Sequence, residues 1–199
     1  MLIAVEGCIG AGKSTVAKGL AVERRSEALL EVFETNPFLS AFYGDPNGYA
    51  TETEFTFLLL HFHQLKRHRD AISRSEIISD FHLGKDLLYA KLNLEDSRVH
   101  QIFENLHDVL TEHVAHPTLM ICLSASTALL IERIRKRQRD YEMKIDPDYY
   151  IRLNAVYEEF FEKYKGRKLK ILMDEWDFVR VPALFQKLSL AVEDKLKSP

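Results

Sequence analysis

The stretch GCIGAGKS, residues 7–14, leaves this chain few folds to choose from. It satisfies the spacing G-x-x-x-x-G-K-[ST], follows a strand-forming run, LIAVE (2–6), and opens into an apolar-periodic segment of helical length. Glycines at 7, 10 and 12 let the backbone curl until its amides point at phosphate oxygens, and the helix start adds partial positive charge. Lys13 is placed to reach terminal phosphates and the Ser14 hydroxyl to ligate magnesium, with Ala11 and Thr15 completing the loop. The expectation is a bound nucleoside triphosphate.

Short runs rich in strand formers alternate with helix-length patterns along the rest of the chain: ALLEV (28–32), EIISD (76–80), TLMICL (118–123) and LKILM (169–173) join LIAVE as strands. Alternation of this kind predicts an α/β architecture, a three-layer P-loop NTPase fold with a five-stranded parallel sheet flanked by helices. Helix starts are expected at Asn36 before Pro37, at Ser126, and at Asp146 before Pro147. No repeat or linker divides residues 1–199, so one domain is expected, and 46% hydrophobic residues suffice for its core. A net charge of -3 removes the footprint of a nucleic-acid binder. No leader-like start and no long apolar run are present, which predicts a cytoplasmic protein with no membrane contact. Cys8 and Cys122 form neither a disulfide framework nor a zinc spacing and read as reduced, structural thiols.

Against that background, RIRKRQR (133–139) places five cations in seven positions. Arg133 and Arg137 share a helix face and Arg139 follows, so the three can converge on one anion, and arginine's planar fork suits the spread charge of a transferring phosphoryl group. Arg135 and Lys136 read as a solvated face. Four segments together resemble the deoxynucleoside kinases: EGCIGAGKST at the loop; EVFETNPFLSAFY (31–43), close to E-P-V-x-x-N-P-F-L-x-x-F-Y; RIRKRQRDYE (133–142), similar to the lid pattern R-I-x-x-R-x-R-x-x-E; and DEWDF (174–178), similar to the turn that cradles adenine. The resemblance implies transfer of the ATP γ-phosphate to the 5'-hydroxyl of a small-molecule deoxynucleoside, with ATP and Mg2+ required, a lid over about 133–145, adenine beside Asp177 and Phe178, and a homodimer.

Carried over position by position, it implies Glu31 as the carboxylate that accepts the hydroxyl proton, with Glu34 as rival, and Asp80 as a magnesium partner. Tyr43 and Glu142 match the groups on the sugar 3'-hydroxyl; Glu54, His61 and Asp86 match base contacts. Three positions depart from the pattern. Phe81 and His82 replace the arginine and serine of a D/E-R-S motif, so transition-state charge stabilisation is lost unless Lys85 or a lid arginine supplies it. Glu54 replaces glutamine and His61 replaces arginine. An ionised Glu54 only accepts hydrogen bonds, which favours deoxyguanosine over deoxyadenosine; alternatively Glu54 and His61 pair with each other or face solvent. His61 with His63, and His113 with His116, read as surface groups rather than as metal ligands. The aromatic-rich FTFLLLHFH (55–63) reads as a largely buried helix and a candidate subunit contact. A nucleoside-monophosphate kinase and a nucleotide-binding regulator without turnover are the competing readings; NPFLSAFY and Glu142 speak against the first, while Phe81 motivates the second.

Overall fold

The computed structural model describes residues 1–139 and 146–197. Five parallel strands lie in the order β2-β3-β1-β4-β5: β1 (Leu2–Gly7), β2 (Glu27–Leu29), β3 (Ile77–Ser79), β4 (Leu119–Ser124) and β5 (Lys168–Leu172). β1 is buried along its whole length, as expected of a parallel strand covered by helices on both faces. Its register sets Leu2 against Ile77 on one side and Ile3 against Leu119 on the other. The chain winds outward through β3 and β2 on one side of β1 and through β4 and β5 on the other. Crevices at the carboxyl ends of strands around such a reversal are where open α/β sheets bind ligands.

Four of the expected strands match closely, whereas β2 ends at Leu29 rather than at residue 32. Glu31 therefore lies beyond the strand and not at its end. Its position is set instead by a hydrogen bond from its backbone N–H to Asp80 Oδ1 at 2.7 Å. Helix α1 (Lys13–Arg24) leaves the glycine loop and α9 (Leu184–Lys197) packs on it; a Cβ at Gly19 would meet the Phe185 ring at 2.1 Å, so a glycine is required there.

Between β2 and β3 run α2 (Leu39–Gly44), α3 (Pro46–Arg67) and α4 (Arg69–Arg74). Asp45 caps α3 by accepting from Gly48 N–H, with Pro46 in the first turn. Asn36 corrects the expected helix start. Its Oδ1 accepts from Phe38 N–H and its amide donates to the Thr53 carbonyl, so it closes a turn and ties that turn to α3, while the helix begins only at Leu39. α5 (Gly84–Asn93) and α6 (Ser97–Thr111) follow β3. α7 (Thr127–Lys136) and α8 (Pro147–Lys163) start at Ser126 and Asp146, as the sequence predicts. Cys8 and Cys122 are buried free thiols, and burial pushes both up to about 12, consistent with inert structural roles.

Candidate active site

Gly10 and Gly12 have φ of 87° and 98°, a left-handed backbone that side chains rarely adopt, and this turns the loop after β1 around the start of α1. Lys13 Nζ donates back to the Gly7 carbonyl at 2.8 Å, arching over the loop. Burial first, and then the nearby Lys85 cation, lower its pKa. Ser14 Oγ donates to Asp80 Oδ2 at 2.5 Å, which joins the loop to the end of β3. A hydroxyl and a carboxylate oxygen side by side next to Lys13 fit magnesium, which takes hard oxygen donors and few protein ligands.

Above the loop, Arg133 on α7 donates from Nη1 to the Ala11 carbonyl at 3.1 Å. Arg137 lies at the end of α7, and the Arg139 guanidinium sits 4.3 Å over the Phe33 ring; all three arginines line the same cavity as Lys13. Lys136 also lines it, whereas Arg135 is exposed. Phe178 packs on Phe185 at 4.8 Å between ring centres. Asp177 accepts from the N–H groups of Val179 and Arg180, and so shapes the turn bordering the cavity. Glu142 and the lid residues 140–145 lie outside the described residues.

The cavity, about 800 Å³, continues from the loop toward α2, α3 and α5. There the sequence-predicted residues Glu31, Tyr43, Glu54, His61 and Asp86 meet on one wall. Glu31 Oε2 accepts from Lys85 Nζ at 2.7 Å and Oε1 from His61 Nε2 at 3.0 Å. Burial alone would lift the Glu31 pKa, but the Lys85 charge and the His61 hydrogen bond outweigh it and hold the carboxyl well below the usual range. His61 Nδ1 donates to both oxygens of Asp86, at 2.8 and 3.0 Å. Burial opposes its charge, yet Asp86 and Glu31 push His61 up to about 9, so it is an imidazolium at neutral pH. Glu34, the rival carboxylate, is exposed and does not line the cavity.

His61 is therefore neither a surface histidine nor a partner of Glu54. At 2% exposure it bridges two carboxylates, and the Phe81 ring lies 5.0 Å from it. Phe81 is fully buried and presents no charge; the cations reaching Glu31 are Lys85, in the first turn of α5, and His61. His82 turns away from the cavity to Glu6 at 2.8 Å. His63, His113 and His116 are exposed, and no metal-binding cluster occurs among the described residues. Glu54 meets Asn93 Nδ2 at 2.7 Å, and burial pushes its pKa up to about 8, contrary to the ionised state expected from sequence. Asn93, Tyr149 and Thr53 are site neighbours that the sequence did not single out; they come from three different helices, and no motif marks them.

A glycine loop with its lysine, an arginine helix folded over it, and an ionised carboxylate across the cavity define a P-loop kinase acting on a small acceptor. The chain belongs to the deoxynucleoside kinase family, whose profile matches residues 3–196. It is 29% identical to the deoxyguanosine kinase of Bacillus subtilis, with 96% of each chain covered. It is 30% identical to the deoxyadenosine kinase of Lactobacillus acidophilus, over 98% of this chain and 96% of that one. The solved structure of deoxyadenosine kinase from M. mycoides with the products dCMP and a flexible dCDP bound superposes with a TM-score of 0.83 at 27% identity over the full length of both. The protein is thus an enzyme that phosphorylates deoxynucleosides, not a monophosphate kinase or a silent regulator. Among the described residues no helix is long and apolar enough to cross a membrane.

Proposed function

We propose that the enzyme passes the γ-phosphoryl group of ATP in line to the 5'-hydroxyl of a deoxynucleoside, in nucleotide salvage. One observation carries the direction of transfer: Glu31, ionised between Lys85 and His61, faces the same cavity as Lys13 and Ser14. Phosphoryl transfer through a loose transition state asks the protein chiefly for positioning and charge. Glu31, a weak base because its partners depress its pKa, accepts the hydroxyl's hydrogen bond, orients the nucleophile and takes the proton late. Lys13 and Arg133, with Arg137 and Arg139 beside them, stabilise the transferring oxygens. Ser14 and Asp80 would hold Mg2+, which when bound would neutralise negative charge on the phosphate groups. Asp177 and Phe178 border the adenine end, Tyr43 is the candidate for the 3'-hydroxyl, and Glu54, His61 and Asp86 face the base.

Incubation with γ-labelled ATP, magnesium and a panel of deoxynucleosides and monophosphates tests the reading. Label is expected in deoxynucleoside 5'-monophosphates; label in diphosphates alone, or none, would overturn it. We further infer one domain acting in the cytoplasm as a homodimer. Exposed Leu59 on α3 and Ile102 and Val109 on α6 support the dimer, and a monomeric mass by light scattering would refute it.

A further inference from the structure

Glu54 is the third carboxyl on a wall where, among the described residues, two cations, Lys85 and His61, pair with carboxylates. Glu31 and Asp86 are matched by Lys85 and His61, with every one of those ion pairs at 3.0 Å or less. Glu54, 2% exposed on α3, has no cationic partner within 4 Å among the described residues. Its one protein partner is the neutral amide of Asn93, which donates to Oε1 and also to the Tyr149 hydroxyl at 3.2 Å. That leaves Oε2, and the second lone pair of Oε1, for the cavity that Glu54 lines. Thr53, the preceding residue of α3, lines the same cavity and has a buried Oγ1 with no hydrogen-bond partner among the described residues. A buried carboxylate without a cation is far more costly than a buried carboxylic acid, so such a group keeps its proton.

From this we infer that Glu54 reads the acceptor's base as a neutral carboxylic acid, one oxygen donating and the other accepting, and that its ionisation changes which base is taken. The inference deepens the proposed kinase reading and rests on it. A carboxylic acid complements an amino donor beside a ring-nitrogen acceptor, the pattern of adenine N6 with N7 and of cytosine N4 with N3. It also pairs with the O6 and N1–H of guanine. A carboxylate loses the donor, repels the ring nitrogen of adenine, and retains a good match only to the N1–H and 2-amino donors of guanine. The groups facing Glu54 are Asn93, Asp86 and Lys85 from α5, His61 from its own helix and Tyr149 from α8. Burial raises its pKa most, the Asn93 hydrogen bond lowers it, Asp86 raises it further and Lys85 and His61 lower it, and burial prevails to give about 8.

The test is kcat/KM for deoxyadenosine relative to deoxyguanosine, measured from about pH 6.5 to about pH 9 for the native enzyme and for Glu54→Gln. In the native enzyme the ratio should fall roughly tenfold or more, as expected when a buried hydrogen bond becomes a repulsion. In Glu54→Gln, which carries a donor and an acceptor at every pH, the ratio should hold its low-pH value. A ratio that is flat in the native enzyme, or that falls equally in the variant because His61 or the bases themselves titrate, overturns the inference and leaves the kinase reading standing. Absence of turnover with either nucleoside at any pH brings down both. A second readout needs no substrate: the side-chain carboxyl ¹³C resonance that disappears in Glu54→Gln should titrate near 8, and a midpoint at the ordinary glutamate value of about 4 would also overturn it.

Discussion

Lys85 Nζ lies 2.7 Å from Glu31 Oε2 on a side chain that is 6% exposed, so its charge acts across protein rather than through water. An ammonium differs from a guanidinium in being a point charge whose three donors radiate from one atom, so it lacks the planar fork that pairs two oxygens in parallel. Lys85→Met is therefore expected to lower kcat by about 10²- to 10³-fold, the cost of removing one charge-stabilising donor, with ATP affinity by calorimetry changed little. Unchanged kcat in a folded Lys85→Met enzyme would mean that the lid arginines alone supply the charge. Glu31→Gln should lower kcat by roughly 10²- to 10⁴-fold and also leave ATP binding intact, whereas Glu34→Gln, on an exposed residue, should be silent. The opposite pattern would place the base three residues further on. Lys13→Ala should abolish turnover and weaken ATP binding together, because the lysine's loop contacts and its phosphate contacts are lost at once.

Helix α7 connects this chemistry to the sheet. Ser126 caps it by accepting from Leu129 N–H, and Asp174 just past β5 accepts from both the N–H and the hydroxyl of Ser126. The same helix carries Arg133 onto the Ala11 carbonyl. Ser126→Ala removes the cap and one Asp174 contact, for about 1 kcal/mol or somewhat more. In a chain of this length that corresponds to a Tm lower by roughly 2–4 °C, readable by scanning calorimetry. Because the cap also fixes the angle at which Arg133 meets the loop, KM for ATP should rise as well; a lower Tm with unchanged KM would separate the two roles. Four of the five strands, the Ser126 and Asp146 caps and the glycine loop were legible in the sequence, since each depends on residues within a few positions of one another, whereas the end of β2 was not. The charged wall was legible only as a set of positions. That His61 bridges Glu31 and Asp86 depends on packing that brings together residues 30 and 25 positions apart. The neutrality of Glu54 depends on burial, which no local pattern reports. Asn36 shows the same limit on a smaller scale: an asparagine before proline signals a turn or a cap equally, and only the Thr53 carbonyl across the gap decides between them.

The buried charges also set how the stability of the fold varies with pH. Glu31 has a folded pKa below its unfolded value, so its contribution is present above about pH 4.5 and is lost as pH falls. His61 runs the other way. Raised from 6.5 to about 9, it contributes fully below 6.5 and loses that contribution as pH rises through about 9. Glu54, raised from 4.5 to about 8, holds in the folded state a proton that the unfolded chain releases, so stability drains across that interval too. Each such proton contributes a slope of at most about 1.4 kcal/mol per pH unit, and between 6.5 and 8 both act together. Stability should accordingly peak at about pH 5 and decline toward pH 9, most steeply above 6.5, in contrast to a protein held by surface pairs, whose stability changes little over that range and responds strongly to salt. Thermal unfolding at pH 5.5, 7 and 9, each at low and high ionic strength, measures this. Glu54→Gln should flatten the curve between about pH 4.5 and 6.5, roughly halve the slope from 6.5 to 8, and leave the His61 decline up to about 9. A Tm that stays level or rises from neutral to alkaline pH, or a decline that added salt removes, would show that the wall beside Glu31 does not hold its protons as its geometry requires.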